Sequence, residues 1–330
     1  MHDPTITTRG FLRVLAAGAA GILLTTTARA DDYPSRTIRL IVGFPPGQGS
    51  DSIARAVAQR MQAAMGQTWI VENRAGASGS LAQQAAALAA PDGYTLLLTS
   101  AGPMAVNQGV YEKLPYDPVK DYAMVGGIST FPMVLVAHPS FPARSVNELV
   151  AMAKARPGEI NYASSGAGLT AHMSMELLSL AAGIKLTHVP YKGTALAFND
   201  VLSGRVSVMF ETPIAVLPMI RDGRLRALAV GGRNRLPSLP DVPTVAEAGY
   251  PGFLASSWTA IVAPAKTPAP VLAKLSEALA KVVAAPDMRT YLAGLESEAM
   301  PMSPAQMDAF LRQEIDKWSS TAKRAGVRLE

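Results

Sequence analysis

The stretch IRLIVGFPPGQGSDSIARAVAQRMQAAMG, residues 38–66, decides the fold. A β-rich apolar run gives way to a turn of glycine and proline. Ile53, Val57, Met61 and Met65 then fall four apart ahead of Gly66. This spacing predicts a strand, a glycine turn, and a helix closed by a C-cap glycine. The order then repeats, with TWIVEN as a strand, ASGSLAQQAAALAA as a helix, PDG as a turn and YTLLLTSA as a strand. Strand and helix in alternation argue for an α/β fold with a parallel sheet covered by helices.

After PYDPVKDYAMVGGIST the alternation begins again. PMVLVAH, INYASS, LTHVPY, VSVMFE and LRALAV read as strands. SVNELVAMAKARPG (Ser145 as N-cap), AHMSMELLSLAAG, ALAFNDVLSG and VLPMIRDG read as helices between them. A second α/β unit thus lies inside the first, and the length of 330 residues favours two domains. WTAIVAP returns as a strand, followed by two helices. The last has Ser303 as N-cap, Pro304 in its first turn, an apolar stripe of Met307, Phe310, Leu311, Ile315 and Trp318, and Gly326 beyond its end.

Arg9 and Arg13 flank the apolar stretch VLAAGAAGILL, and ARA closes at Ala30. That pattern predicts a cleaved export signal over residues 1–30, too short to span a bilayer. TRGFLR resembles a twin-arginine signal with Thr8 in place of the first arginine, so the general secretory route is the preferred expectation. The mature chain, without Arg9, Arg13, Arg29 and Asp3, carries a formal charge of +3 instead of +5. So small an excess, with no Lys/Arg cluster, gives no argument for nucleic acid. The absence of cysteine excludes disulfides and thiolate metal sites. The expectation is a soluble exported protein that relies on its core, and 49% apolar residues suffice for a large one.

GFPPGQGSD has neither the lysine nor the following hydroxyl of a phosphate-binding P-loop. INYASSGAGLTAHM satisfies G-x-G-x-x-A at Gly166, Gly168 and Ala171, but its strand is polar and no acid ends the next strand to take a ribose hydroxyl. What the two turns share is backbone able to approach a ligand, and a helix N-terminus with unpaired N–H donors that favours an anion by about 0.3–2 kcal/mol. Neither turn brings a fixed cation, so a carboxylate fits better than a phosphate. Asp51 competes for those donors. Either it caps its own helix and leaves the earlier loop N–H groups free, or it faces a cationic or hydroxyl group of the ligand. His172 and Glu176, four apart, lack a third metal ligand, His188 reads as structural, and no G-x-S-x-G elbow marks a hydrolase.

Ordered blocks along nearly the whole mature chain resemble the substrate-binding proteins of tripartite tricarboxylate transporters, the Bug receptors of bacterial periplasms. They include YPSRTIRLIVGFPPGQGSDSIAR, VENRAGASGS, APDGYTLLL, INYASSGAGLTAHM, HVPYKGTALAFNDVLSGRV, PDVPTVAEAGYPGF and WTAIVAPAKTP. The resemblance implies a two-lobe periplasmic binding protein-like type II (Venus flytrap) fold with two crossover segments. It places lobe 1 at residues 31–131 and 255–330 and lobe 2 at 132–254, with hinges near 127–132 and 255–258. A small carboxylate would be held in the cleft, without cofactor, metal or catalytic residue, and delivered by a monomeric receptor to the integral membrane permease subunits.

Carried over position by position, the first loop supplies Pro46, Gly47, Gln48, Gly49, Ser50 and Asp51. The second supplies Ser164, Ser165, Gly166, Gly168, Thr170 and His172. Ser100 and Asn107 would line the first-lobe wall, and Tyr191, Lys192 and Gly193 the second-lobe rim. Gln48, Leu196 and Glu211 depart from the family pattern. Glu211 either reaches a distal ligand group or ends its strand. A periplasmic sensor for a signalling partner and an exported hydrolase or lyase with a similar cleft are the rival readings.

Overall fold

The computed structural model describes residues 33–329, so the export signal expected over 1–30 lies outside the described residues. The chain begins with β1 (Ile38–Val42), α1 (Gly49–Met65), β2 (Trp69–Asn73), α2 (Ser80–Ala87) and β3 (Thr95–Ser100). A π-helical turn at Gly102–Val106 runs into α3 (Asn107–Val110), and β4 (Tyr122–Pro132) follows. The middle of the chain is β5 (Val134–Ala137), α4 (Val146–Ala155), β6 (Asn161–Ser164), α5 (Thr170–Ala182), β7 (Thr187–Pro190), α6 (Thr194–Leu202), β8 (Val208–Glu211), α7 (Pro213–Arg221) and β9 (Arg226–Val230). The C-terminal part is β10 (Ser256–Pro264), α8 (Ala269–Ala284), α9 (Pro286–Gly294), β11 (Glu298–Ala299) and α10 (Pro304–Ala325).

These strands form two sheets, ordered β11-β4-β10-β3-β1-β2 and β7-β6-β8-β5-β9. As expected, β1 lies parallel to β2 and β3, and β6 parallel to β7 and β8. The sheets are nonetheless mixed. β10 runs antiparallel to β3 and β4, and β5 antiparallel to β8 and β9, because strands that carry the chain between sheets enter from the opposite end. All six residues of β3 are buried, as befits a strand covered on both faces.

Helix ends follow the sequence closely. Ser145 accepts the Glu148 N–H, Ser303 forms a capping box with Gln306, and Gly66, Gly183 and Gly326 close their helices in the left-handed conformation. Two differences have local causes. α2 starts at Ser80 because Gly76, Ala77, Ser78 and Gly79 all have positive φ. That bend lets the Gly79 backbone lie beneath Gly43, 3.1 Å from where a Cβ would stand. A third helix, α9, is also present between the two expected near the C-terminus.

The chain passes between the sheets at two places that lie side by side. β4 leads through Met133 into β5, and the chain returns through Ala255 into β10, with Pro132 opposite Ser256 and Phe131 opposite Ser257. Met133 N–H donates to Ala255 O (2.9 Å), Ala255 N–H to Gly231 O (2.8 Å) and Gly231 N–H to Met133 O (2.7 Å). Three segments thus close a ring of backbone hydrogen bonds at the crossover. Gly231 permits it, since a Cβ there would stand 2.6 Å from Ala255 O and 3.0 Å from Met133 O.

The first sheet's core contains Trp258 and Trp318, whose indole N–H groups donate to the same buried Glu314 oxygen at 3.2 and 3.1 Å. Met173 of α5 joins this core, so the helix that begins at the second glycine turn is anchored beneath the first sheet. The second sheet packs Tyr162, Phe210 and Met175 on one face and Val134, Met209 and Val216 on the other.

Gly231→Ala should lower unfolding stability by about 1–3 kcal/mol through overpacking at the crossover. A urea midpoint and slope equal to wild type would contradict that placement.

Candidate functional site

The turn after β1 exposes its tip at Pro46, Gly47 and Gln48, while Gly49 and Ser50 are half-buried. Gly47 has φ +83° and donates its N–H to Asp51 Oδ2 at 2.9 Å. Arg55 Nε donates to the same oxygen (3.0 Å), and Asn73 Nδ2 donates to Asp51 Oδ1 (2.9 Å) and to Phe44 O (3.0 Å). Asp51 is 3% exposed. Desolvation pushes its carboxyl up, but the bonds from Arg55, Gly47 and Asn73 outweigh it and hold the group below the ordinary value. Neither alternative for Asp51 describes this: the carboxylate reaches back from the helix, occupies the Gly47 N–H and braces the turn. Gln48, at the N-cap, makes no capping bond with its side chain. The first amides of α1 therefore have no acceptor within the helix.

The second turn is braced differently. The Ser164 hydroxyl, 0% exposed, bonds Gly166 O (3.0 Å) and His188 Nε2 (2.7 Å). Gly168 N–H donates to His172 Nδ1 at 3.0 Å, so a neutral His172 carries its proton on Nε2. The two imidazoles stack 3.8 Å apart at 7°, and His188 stacks in turn on Tyr162, whose hydroxyl donates to Glu176. Burial lowers His172 to about 3, helped by its neighbour His188, and lowers His188 to about 4.

Both turns reach the opposite sheet's elements. A Cβ on Gly49 would stand 3.9 Å from Ile214 Cγ2 in the first turn of α7. Leu169, at the start of α5, comes within 3.8 Å of the corresponding point on Gly102, and Gly168 meets Val110. Glu211 lies at the end of β8, 5% exposed, accepting from the Thr212 N–H (2.8 Å) and Thr194 Oγ1 (3.1 Å).

The sequence model of the tripartite tricarboxylate transporter family receptor matches residues 53–327. The chain belongs to this receptor family. It is similar to BugT of Bordetella pertussis, 38% identical over 302 residues that cover 91% of this chain and 93% of BugT. Among solved structures, Rpa4515 of R. palustris with adipate superposes with a TM-score of 0.83 at 35% identity, covering 90% of this chain and all of that one. MatC from Rhodopseudomonas palustris with bound malate gives 0.78 at 32% identity, covering 88% and 99%. The two-lobe type II fold of periplasmic binding proteins is therefore the fold of this receptor, and its family is one of solute receptors, not enzymes.

In the receptor, the anticipated residues divide into two groups. Pro46, Gly47, Gln48, Gly49, Ser50, Ser165, Gly166 and Tyr191 present surface, although the Tyr191 hydroxyl donates to Asp200 at 2.6 Å. Asp51, Ser100, Ser164, Gly168, Thr170, His172 and Glu211 are buried beneath them. Asn107 is 0% exposed and donates to the Tyr116 hydroxyl (3.2 Å), inside the core and not on a wall. Ser164 and His188 have the spacing of a nucleophile and its base, but Ser164 offers no surface to a substrate. Among the described residues no three metal-binding side chains gather. Thr194, Thr212 and Ile214 were not anticipated. The pair Thr212-Pro213, an N-cap followed by proline, marked the helix start that carries two of them.

Asp51→Ala should cost about 1–3 kcal/mol of stability, because Gly47 and Asn73 lose a buried acceptor; Asp51→Asn should recover part of it in the same urea titration. The histidine pair sets a pH dependence. An unfolded histidine protonates near pH 6.5 while these two resist to about 4 and 3, so the unfolded state binds more protons in that window. Stability should fall as pH drops from about 6.5 towards 4, by roughly 1 kcal/mol per unit for each histidine. Burial raises the Glu176 and Glu211 carboxyls, and these act in the opposite sense as pH rises. The difference between wild type and His188→Asn isolates the histidine part, and equal slopes would contradict it.

Proposed function

We propose that this receptor captures a small carboxylate between its lobes and presents it to the permease subunits of a tripartite transporter. The observation that carries this reading is that two glycine turns each open a helix without a side-chain cap and each reach an element of the opposite sheet. The braces explain how the turns keep that form without a ligand. Asp51 and His172 accept the N–H groups of Gly47 and Gly168, leaving the first-turn amides of α1 and α5 for an anion. Solved relatives with adipate and with malate support a carboxylate as the cargo.

On this reading residues 31–131 with 255–330 form one lobe and 132–254 the other, and closure bends the chain near 127–132 and 255–258. Those segments pair as neighbouring strands beside the crossover ring, and because α5 of the second lobe packs through Met173 into the first sheet's core, a bend there would accompany a shift of α5 against that core. The site is made of Gly49, Ser50, Ser165, Gly166 and Thr194 at its surface, with Ser164 and His172 shaping it from behind. Residues 1–30 direct export to the periplasm, where a monomeric receptor shuttles between ligand and permease.

Thermal unfolding of residues 31–330 against carboxylates, phosphates and sugars tests this. A ligand at 100 times its Kd adds about 2.7 kcal/mol. A shift confined to carboxylates is expected, whereas one given by sugars or phosphates alone would overturn the reading.

A further inference from the structure

Glu211 is buried at the end of β8, and its hydrogen-bond partners among the described residues are neutral. The Thr212 N–H donates to Oε1 and Thr194 Oγ1 donates to Oε2, and the nearby Thr212 and Ser165 side chains also favour the charged carboxyl. Thr194, whose hydroxyl holds the carboxyl, and Ser165 are themselves half-exposed. Ile214, three residues beyond Glu211, faces Gly49 of the first turn. The acid thus lies just ahead of α7, the helix whose first turn meets the first glycine turn.

A hydroxyl has one proton. While Glu211 is ionised, Thr194 gives that proton inward and shows only lone pairs to the cleft. An arriving carboxylate would then meet an acceptor surface with a buried negative charge behind it. Once Glu211 is protonated, it donates to Thr194 Oγ1, and the Thr194 proton is free to turn outward. We infer that Glu211 takes up one proton from solvent as a carboxylate is captured, which converts Thr194 from an acceptor into a donor toward the ligand. This rests on the carboxylate reading above and makes Glu211 a positioning residue. Desolvation already raises the Glu211 carboxyl, and a second negative charge nearby pushes in the same direction.

The surrounding elements hold few groups that could imitate this behaviour. β5 places Val134 opposite Glu211. Tyr162 on β6 is raised far above the ordinary range, and Tyr191, ahead of α6, is pushed up to about 12. His172 on α5 and His188 on β7 are lowered to about 3 and 4. Asp200 on α6 pairs with Arg205, Lys192 ahead of α6 is exposed, and Arg221 lies at the far end of α7. Across the cleft Asp51 is held low and paired with Arg55. Glu176 on α5, raised by burial, is the neighbour to control for.

Calorimetric titration with malate and with adipate from pH 7 to 9, in two buffers of different ionisation enthalpy, tests the relay. Affinity should weaken with rising pH, by up to tenfold per unit, with uptake approaching one proton per ligand. Glu211→Gln should bind with an affinity independent of pH, and Glu176→Gln should keep the wild-type slope. Thr194→Val should bind more weakly and lose most of the slope. Wild-type affinity that is flat across this range without proton uptake, or a slope that survives in Glu211→Gln, overturns the inference while leaving carboxylate capture intact. If Glu211→Gln does not fold, wild-type proton uptake decides alone. If neither probe binds at any pH, the carboxylate reading falls and the relay with it.

Discussion

Buried side chains accept hydrogen bonds from the backbone of both glycine turns. Gly47 leans on Asp51, Gly168 on His172, and Gly166 on the Ser164 hydroxyl that His188 fixes from behind. Each such bond gives a turn amide a fixed acceptor inside the protein in place of water, and contributes about 0.5–1.5 kcal/mol net. The braces engage the loop amides of Gly47, Gly166 and Gly168, and an amide in a helix's first turn has no acceptor within its own helix.

The two braces use different chemistry. Around Asp51 a carboxylate gathers one loop amide, one side-chain amide and one guanidinium, so the first turn is held by charge. Around Ser164 the second turn is held by neutral rings, and protonating both would place two like charges 3.8 Å apart in a dry interior. α5 links this second turn to the rest of the molecule. It begins at the turn, and through Met173 it enters the core shared by Trp258 and Trp318. The turn thus opens a helix that shares a core with β10, the strand that returns from the crossover.

Much of this was legible in the sequence. The four-residue spacing of Ile53, Val57 and Met61 and the punctuation by Gly66, Ser145, Ser303 and Gly326 record local physics, and the helices obey them. The antiparallel insertion of β5 and β10 was not legible, because strand direction depends on where the chain has been carried and not on its apolar pattern. The left-handed run at Gly76–Gly79 was hidden for a similar reason: Ala77 and Ser78 carry no local preference for positive φ, and packing beneath Gly43 imposes it. At the candidate site, the two turns were readable as glycine turns that each open a helix. The division between surface and support was not, since burial of Ser164, His172 and Asn107 depends on neighbours distant in sequence, such as His188 and Tyr116.

The central claim is that one small carboxylate bridges both turns at once. Amide-resolved NMR titration of the isotopically labelled receptor with malate, and separately with adipate, tests it most directly. The account predicts that the amides of Gly49 and Ser50 and those of Gly166 and Thr170 shift together, with one saturation midpoint. Shifts confined to one turn, or separate midpoints for the two, would contradict it.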